Sequence, residues 1–145
     1  MRVIIEDVGP DEEEQLILRC REVDEQLLGL INRVKSGTFL LNAHKDGRWF
    51  RLSPGEIYYI ETVDNRVYLY AQKDVYEIKR KLYELEEELG TGDFFRISKS
   101  VIVDLSKIKS LTPAFSGRLE AVLKNGEKVI ISRQYVARLK DRLGL

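Results

Sequence analysis

The chain has 145 residues and a formal charge of zero, with 24 Lys plus Arg against 24 Asp plus Glu. That length suits one domain, or one domain with a small appendage, and 43% hydrophobic residues suffice for a buried core, which excludes a disordered chain. No apolar run approaches the roughly 18 residues of a membrane span, the start lacks the pattern of a signal peptide, and the single cysteine excludes an internal disulfide and tandem metal fingers, so a reducing, cytoplasmic setting is expected.

In chain order, Arg2 to Val8 is β-branched and ends at Gly9-Pro10-Asp11, a chain breaker. Two readings fit residues 15–35. Leu16, Cys20, Val23, Leu27, Leu30 and Val34 have the spacing of one long amphipathic helix. Alternatively, residues 15–20 pair back on residues 2–8 as a hairpin, and a helix runs from the N-cap Asp24 to Lys35. The second is preferred, and Ser36-Gly37 ends the helix in either case. A composition shift near 36–38 marks the one candidate boundary, giving an appendage over 1–36 and a domain over 38–145.

From there the pattern is strand-like. Residues 39–43 and 48–52 flank the Asp46-Gly47 hairpin signal, and Ser53-Pro54-Gly55 is a turn. Residues 57–63 and 66–72 flank Asp64-Asn65, which suits positive φ angles, and 75–79 is the next strand. A short helix over 80–89 carries Leu82, Leu85 and Leu89 on one face, with Arg80 and Glu84 spaced for a solvated ion pair. Strands come next at 94–97, 101–103 and 108–111, then a loop at 113–117. Residues 118–123 and 128–131 flank the strong turn signal Lys124-Asn125-Gly126-Glu127. Ser132 can N-cap a last helix with Val136, Leu139 and Leu143.

Signals for catalysis are weak. His44, the single histidine, reads as a surface residue beside a turn, and Cys20 as a packed thiol. No glycine-rich phosphate loop, calcium loop or convergent acid, base and nucleophile can be named, so the chain reads as a non-enzyme without cofactor, metal or small-molecule substrate.

The neutral total conceals a gradient. Residues 1–30 hold 3 basic and 9 acidic side chains, residues 31–92 hold 10 and 10, and residues 93–145 hold 11 and 5. Three polar interruptions also come directly after apolar strands: Asp64-Asn65-Arg66, Ser98-Lys99-Ser100 and Ser132-Arg133-Gln134. Arg reads guanine edges and Asn or Gln reads adenine, while Ser hydroxyls and helix N-terminal amides suit phosphates. If the three clusters share a face, double-stranded DNA is the fitting partner. If they scatter, the fitting reading is a protein-interaction module that presents Tyr58, Tyr68, Tyr70 and the N-terminal apolar stripe.

The run Phe94-Phe95-Arg96-Ile97-Ser98-Lys99-Ser100-Val101-Ile102-Val103-Asp104-Leu105 resembles the central motif of the LytTR family of bacterial DNA-binding domains. Residues 57–61 resemble the upstream family strand, Leu82 and Leu85 its Leu-x-x-Leu helix, and Lys107-Ile108, Lys124 to Glu127 and Ser132-Arg133 come in family order, so the resemblance covers about 38–145. It implies a mainly β domain of stacked antiparallel sheets with short helices, preceded here by a small β-β-α or β-α appendage. It also implies a sequence-specific transcriptional regulator whose loops enter successive major grooves of tandem repeats, as a homodimer. Base-reading positions would be Asn65, Arg66, Lys99, Arg133 and Gln134. Backbone-contact candidates are Arg96, Ser98, Ser100, Lys107, Lys109 and Arg118, with Arg96 alternatively a structural ion-pair residue and Ser100 alternatively the holder of its turn.

Ser98 and Asp104 stand where the family often has His and Asn, and Gln134 where it is often basic. These departures bear on the target sequence, and an acid near phosphate is unfavourable, so Asp104 is expected to face the protein. The first 36 residues are too short for the receiver domain that often precedes this module, so the resemblance is to the stand-alone type of regulator. Leu16, Leu27, Leu30, Ile31 and Val34 would form the dimer contact, or else pack on the chain's own β domain.

Overall fold

A computed structural model describes residues 2–35, 40–90 and 92–145. The chain divides into two compact units, Met1–Gly37 and Thr38–Leu145. In the first, α1 spans Glu25–Lys35 and starts where expected, because the Asp24 carboxylate accepts the Leu27 amide at 2.8 Å. The expected hairpin does not form: residues 2–8 and 15–20 are not strands, and the single long helix over 16–34 is absent too. A two-stranded ribbon without a third strand or a covering face is marginal in water, so β-branched composition alone does not fold it. Cys20, expected to be packed, is exposed. Phe39, placed in a first strand, and Ser36-Gly37, placed at the end of α1, lie outside the described residues.

The second unit is mainly β. Its strands are β1 (Leu41–Lys45), β2 (Arg48–Leu52), β3 (Ile57–Val63), β4 (Arg66–Ala71), β5 (Val75–Ile78), β6 (Phe94–Arg96), β7 (Val101–Asp104), β8 (Ile108–Pro113), β9 (Leu119–Leu123) and β10 (Lys128–Ile131). The helices are α2 (Leu82–Leu89) and α3 (Arg133–Leu143). Two antiparallel sheets result, a seven-stranded one in the order β2-β1-β5-β4-β3-β7-β6 and a three-stranded one in the order β10-β9-β8. Asp64 and Asn65 take φ of 50° and 62°, so the β3–β4 hairpin closes in the left-handed turn that their short polar side chains tolerate.

Period-2 alternation sorts the large sheet's side chains onto two cores. Ile60, Leu69, Phe94 and Ile102 face one core, which α2 covers with Leu82, Leu85 and Leu89. Tyr59, Ile97 and Val103 face the other, with Leu119, Ala121, Leu123 and Ile131 of the small sheet and Leu139 of α3. A register shift between Ile57 and Tyr59 sends Tyr58 and Tyr59 to the same side. This corrects the reading of Tyr58, Tyr68 and Tyr70 as exposed: all three are half-buried, and Tyr58 and Tyr70 pack on the second core. Tyr70 stacks on Tyr59 with ring centres 4.2 Å apart, and their hydroxyls donate to Glu61 and Glu127. His44 is likewise half-buried rather than a surface residue, set edge-on to Trp49 and 3.7 Å from a Glu77 carboxylate oxygen. No helix among the described residues is long and apolar enough to cross a membrane.

Candidate nucleic-acid interface

Strand registry decides where the polar clusters end up. Because β3 and β7 are antiparallel with Glu61 opposite Val101, the β3–β4 turn and the β6–β7 loop leave the sheet at the same end. The Thr62 amide donates to the Ser100 carbonyl at 2.9 Å and ties those two loops together. The Ser132 amide donates to the Ile97 carbonyl at 2.8 Å and brings the start of α3 to the same loop. Asp64-Asn65-Arg66, Ser98-Lys99-Ser100 and Ser132-Arg133-Gln134, about 70 residues apart from first to last in sequence, thus form one continuous edge. Asn65, Arg66, Lys99, Arg133 and Gln134 are all exposed there, and Arg118 opens onto the same pocket as Ser132, Arg133 and Gln134. Among the described residues, the ion pairs involve none of Arg66, Lys99, Arg118 and Arg133.

The central loop is rigidly built. Arg96 donates from Nε to the Ser98 carbonyl at 2.7 Å and from Nη2 to the Lys99 carbonyl, while Nη1 meets Glu86 of α2 at 2.9 Å. Its guanidinium is therefore engaged with the protein, and it wraps the loop so that Lys99 projects outward. The Ser98 hydroxyl accepts the Ser100 amide at 3.2 Å and holds the same turn. Ser132 occupies the N-cap position of α3 without a side-chain capping bond, which leaves its hydroxyl available to another partner. Glu86 and Thr62, which brace this edge, carry no motif of their own: Glu86 sits in an acidic run that reads as a solvated face.

Two other candidates lie elsewhere. Lys107 sits beyond the opposite end of β7, 3.5 Å from a carboxylate oxygen of the buried Asp104 and over the Tyr58 ring. Asp104 faces inward as expected, accepting the amide and hydroxyl of Ser106 at 2.9 and 2.7 Å. Lys109 is exposed at the register shift near the start of β8, toward that same far end. The structure does not bring Lys107 and Lys109 to the edge formed by the three loops.

Comparison with known proteins gives a consistent picture. The family model for the LytTr DNA-binding domain matches residues 47–144. A solved LytTr DNA-binding domain of a putative methyl-accepting/DNA response regulator from Bacillus cereus superposes with a TM-score of 0.71 at 26% identity, over 75% of this chain and all of that one. The sensory transduction protein LytT of Enterococcus faecalis is 30% identical over 100 residues, 69% of this chain and 41% of that protein. The chain thus spans less than half the length of that relative. A protein of Staphylococcus aureus described as an uncharacterized HTH-type transcriptional regulator is 27% identical over 143 residues, 95% of each chain.

Proposed function

The chain belongs to the LytTR family of DNA-binding domains, which are not enzymes, and from that premise we propose that it is a sequence-specific transcriptional regulator reading the major groove through three loops. The observation that carries this is the single edge on which Arg66, Lys99 and Arg133 emerge together, none of them in an ion pair among the described residues. Like-signed side chains gathered at one edge suit a polyanion, whereas folding alone would favour spreading or pairing them. The Staphylococcus aureus relative's description as a transcriptional regulator supports the regulatory role.

In this reading Arg66, Lys99, Arg133 and Gln134 meet base edges, with Asn65 beside them. Arg118, Ser98, Ser100 and the Ser132 hydroxyl meet phosphates, which fix register without reading sequence. Arg96 is a positioning residue: it sets the Lys99 backbone. Lys107 and Lys109 stand away from this edge and carry no contact. Binding to tandem repeats as a homodimer would use the apolar residues of α1, where Leu30 and Val34 are exposed and Leu27 and Ile31 half-buried.

Selection of bound duplexes from a random pool tests the function. A recovered motif, with affinity falling steeply as salt rises, is expected. Recovery of random sequence with no salt dependence would refute it. The dimer is tested separately by sedimentation: Val34→Glu should lower the mass to that of a monomer, and an unchanged dimer would remove α1 from the contact.

A further inference from the structure

The loop between β8 and β9 carries Phe115, which is 89% exposed. Isolated exposed apolar residues are ordinary, but this one is held out by a costly backbone. Ser116 and Gly117 take successive left-handed conformations, φ 61° and 75°, and the Ala114 amide closes the loop on the Arg118 carbonyl at 2.9 Å. A left-handed serine is disfavoured by about 1–2 kcal/mol, so the loop is shaped at a cost that exposing a phenyl ring does not recover.

The loop is also bolted to the proposed reading edge. Gly117 lies so close to the Arg133 side chain that a Cβ there would stand 3.1 Å from Cδ and 3.2 Å from Cγ. Ser116 and Arg118 share one open pocket with Ser132, Arg133 and Gln134, a lining with two cations and no carboxylate. The loop that bears Phe115 therefore meets Arg133 through Gly117, two residues on, at a surface whose charge suits DNA.

We infer that Phe115 is a fourth reading element, an apolar contact to a thymine 5-methyl group in the groove that Arg133 enters. The inference rests on the proposed function. Because Gly117 touches Arg133 and Phe115 is only two residues away, an exposed ring there can reach the same major groove, about 12 Å wide, where the thymine methyl is the apolar feature of the base edges. It predicts selection of thymine over cytosine at one position beside the base read by Arg133.

The test uses the full chain and a duplex recovered from the random pool, with each thymine replaced in turn by deoxyuridine, which removes only the methyl. One position per half-site should weaken binding about fourfold, the equivalent of about 0.8 kcal/mol for one buried methyl-sized group. Phe115→Ala should bind the thymine duplex at least about fourfold more weakly and ignore the deoxyuridine change at that position, while Phe115→Leu keeps most of the discrimination. The deoxyuridine scan on the unaltered chain needs no variant to fold. Deoxyuridine at every position without effect, or a Phe115→Ala loss equal on both duplexes (as a wedge or sugar contact would give), overturns the inference and leaves the DNA-binding reading standing. If no duplex is recovered at all, that reading falls and takes this one with it.

Discussion

The two ends of strand β7 make opposite use of similar residues. At the Asp104 end, polar groups are consumed inside the protein. Asp104 accepts from Ser106 and Lys107, the Lys124 amide donates to the Lys107 carbonyl, Asn125 donates to the Gln72 carbonyl, and Tyr59 donates to Glu127. The first of these bonds close the turn after β7, and the last two staple the small sheet to the large one. At the Ser100 end the backbone is braced as firmly, by Arg96, Thr62 and Ser132, but the charged side chains are left pointing out. A lysine after a strand is therefore not a binding residue by its type. What separates Lys99 from Lys107 is whether a carboxylate is already in reach.

The contrast breaks most visibly at Asp104. Asp104→Ala should cost about 2 kcal/mol of unfolding free energy in urea, because it removes the buried carboxylate that accepts the Ser106 amide and hydroxyl and pairs with Lys107. A loss under about 0.5 kcal/mol would mean that the buried Asp104 carboxylate does not hold the far end together. Lys99→Ala should do the reverse: stability within about 0.5 kcal/mol of the parent, and a loss of about 1–3 kcal/mol in affinity for the selected duplex with relaxed preference at one position. If Lys107→Ala lost as much affinity as Lys99→Ala, the two ends would not differ in function.

How far the sequence discloses this contrast depends on the range of the forces. The Asp64-Asn65 turn, the β3 and β10 boundaries and the helix start at Asp24 are local, fixed by turn chemistry, alternation and capping, and they read directly from the chain. Asp104 does turn inward as expected, but not because of phosphate: it stands at the end of β7 away from the three loops, where Ser106 and Lys107 hold it, and those partners are not read from charge. The half-burial of Tyr58 and Tyr70 is not legible either, because it depends on a bulge and on a second sheet arriving from about 50 residues away. Arg96 reaching Glu86 is equally non-local. Phe115 has a local signal, a lone aromatic between Pro113 and Gly117 in a turn composition, but its value lies in the contact of Gly117 with Arg133, which only the fold supplies.

A phosphate contact should give a smaller effect than a base contact and a different signature. Arg118→Ala should weaken binding uniformly across duplexes, and the slope of log affinity against log salt should flatten by about 0.9, the value for one lost phosphate contact. A shift in sequence preference would instead make Arg118 a reader.

The smallest expected effect belongs to the stapled core beneath both ends. Burial first, and then its hydrogen bond to Glu127, push the Tyr59 hydroxyl well above its usual 10. Burial likewise raises Tyr70, with the Glu61 carboxylate next in weight. Between pH 10 and the raised value the folded chain holds a proton that the unfolded chain has released. The stabilisation is therefore complete below about pH 10 and declines as pH rises beyond it. Tyr59→Phe removes that titration, so its unfolding midpoint should fall less steeply than the parent's above pH 10, at a cost below pH 9 of about 1 kcal/mol for the lost bond. Parallel curves would show that the Tyr59 hydroxyl is not held in its neutral form, and the bond to Glu127 would then not belong among the contacts that close the far end.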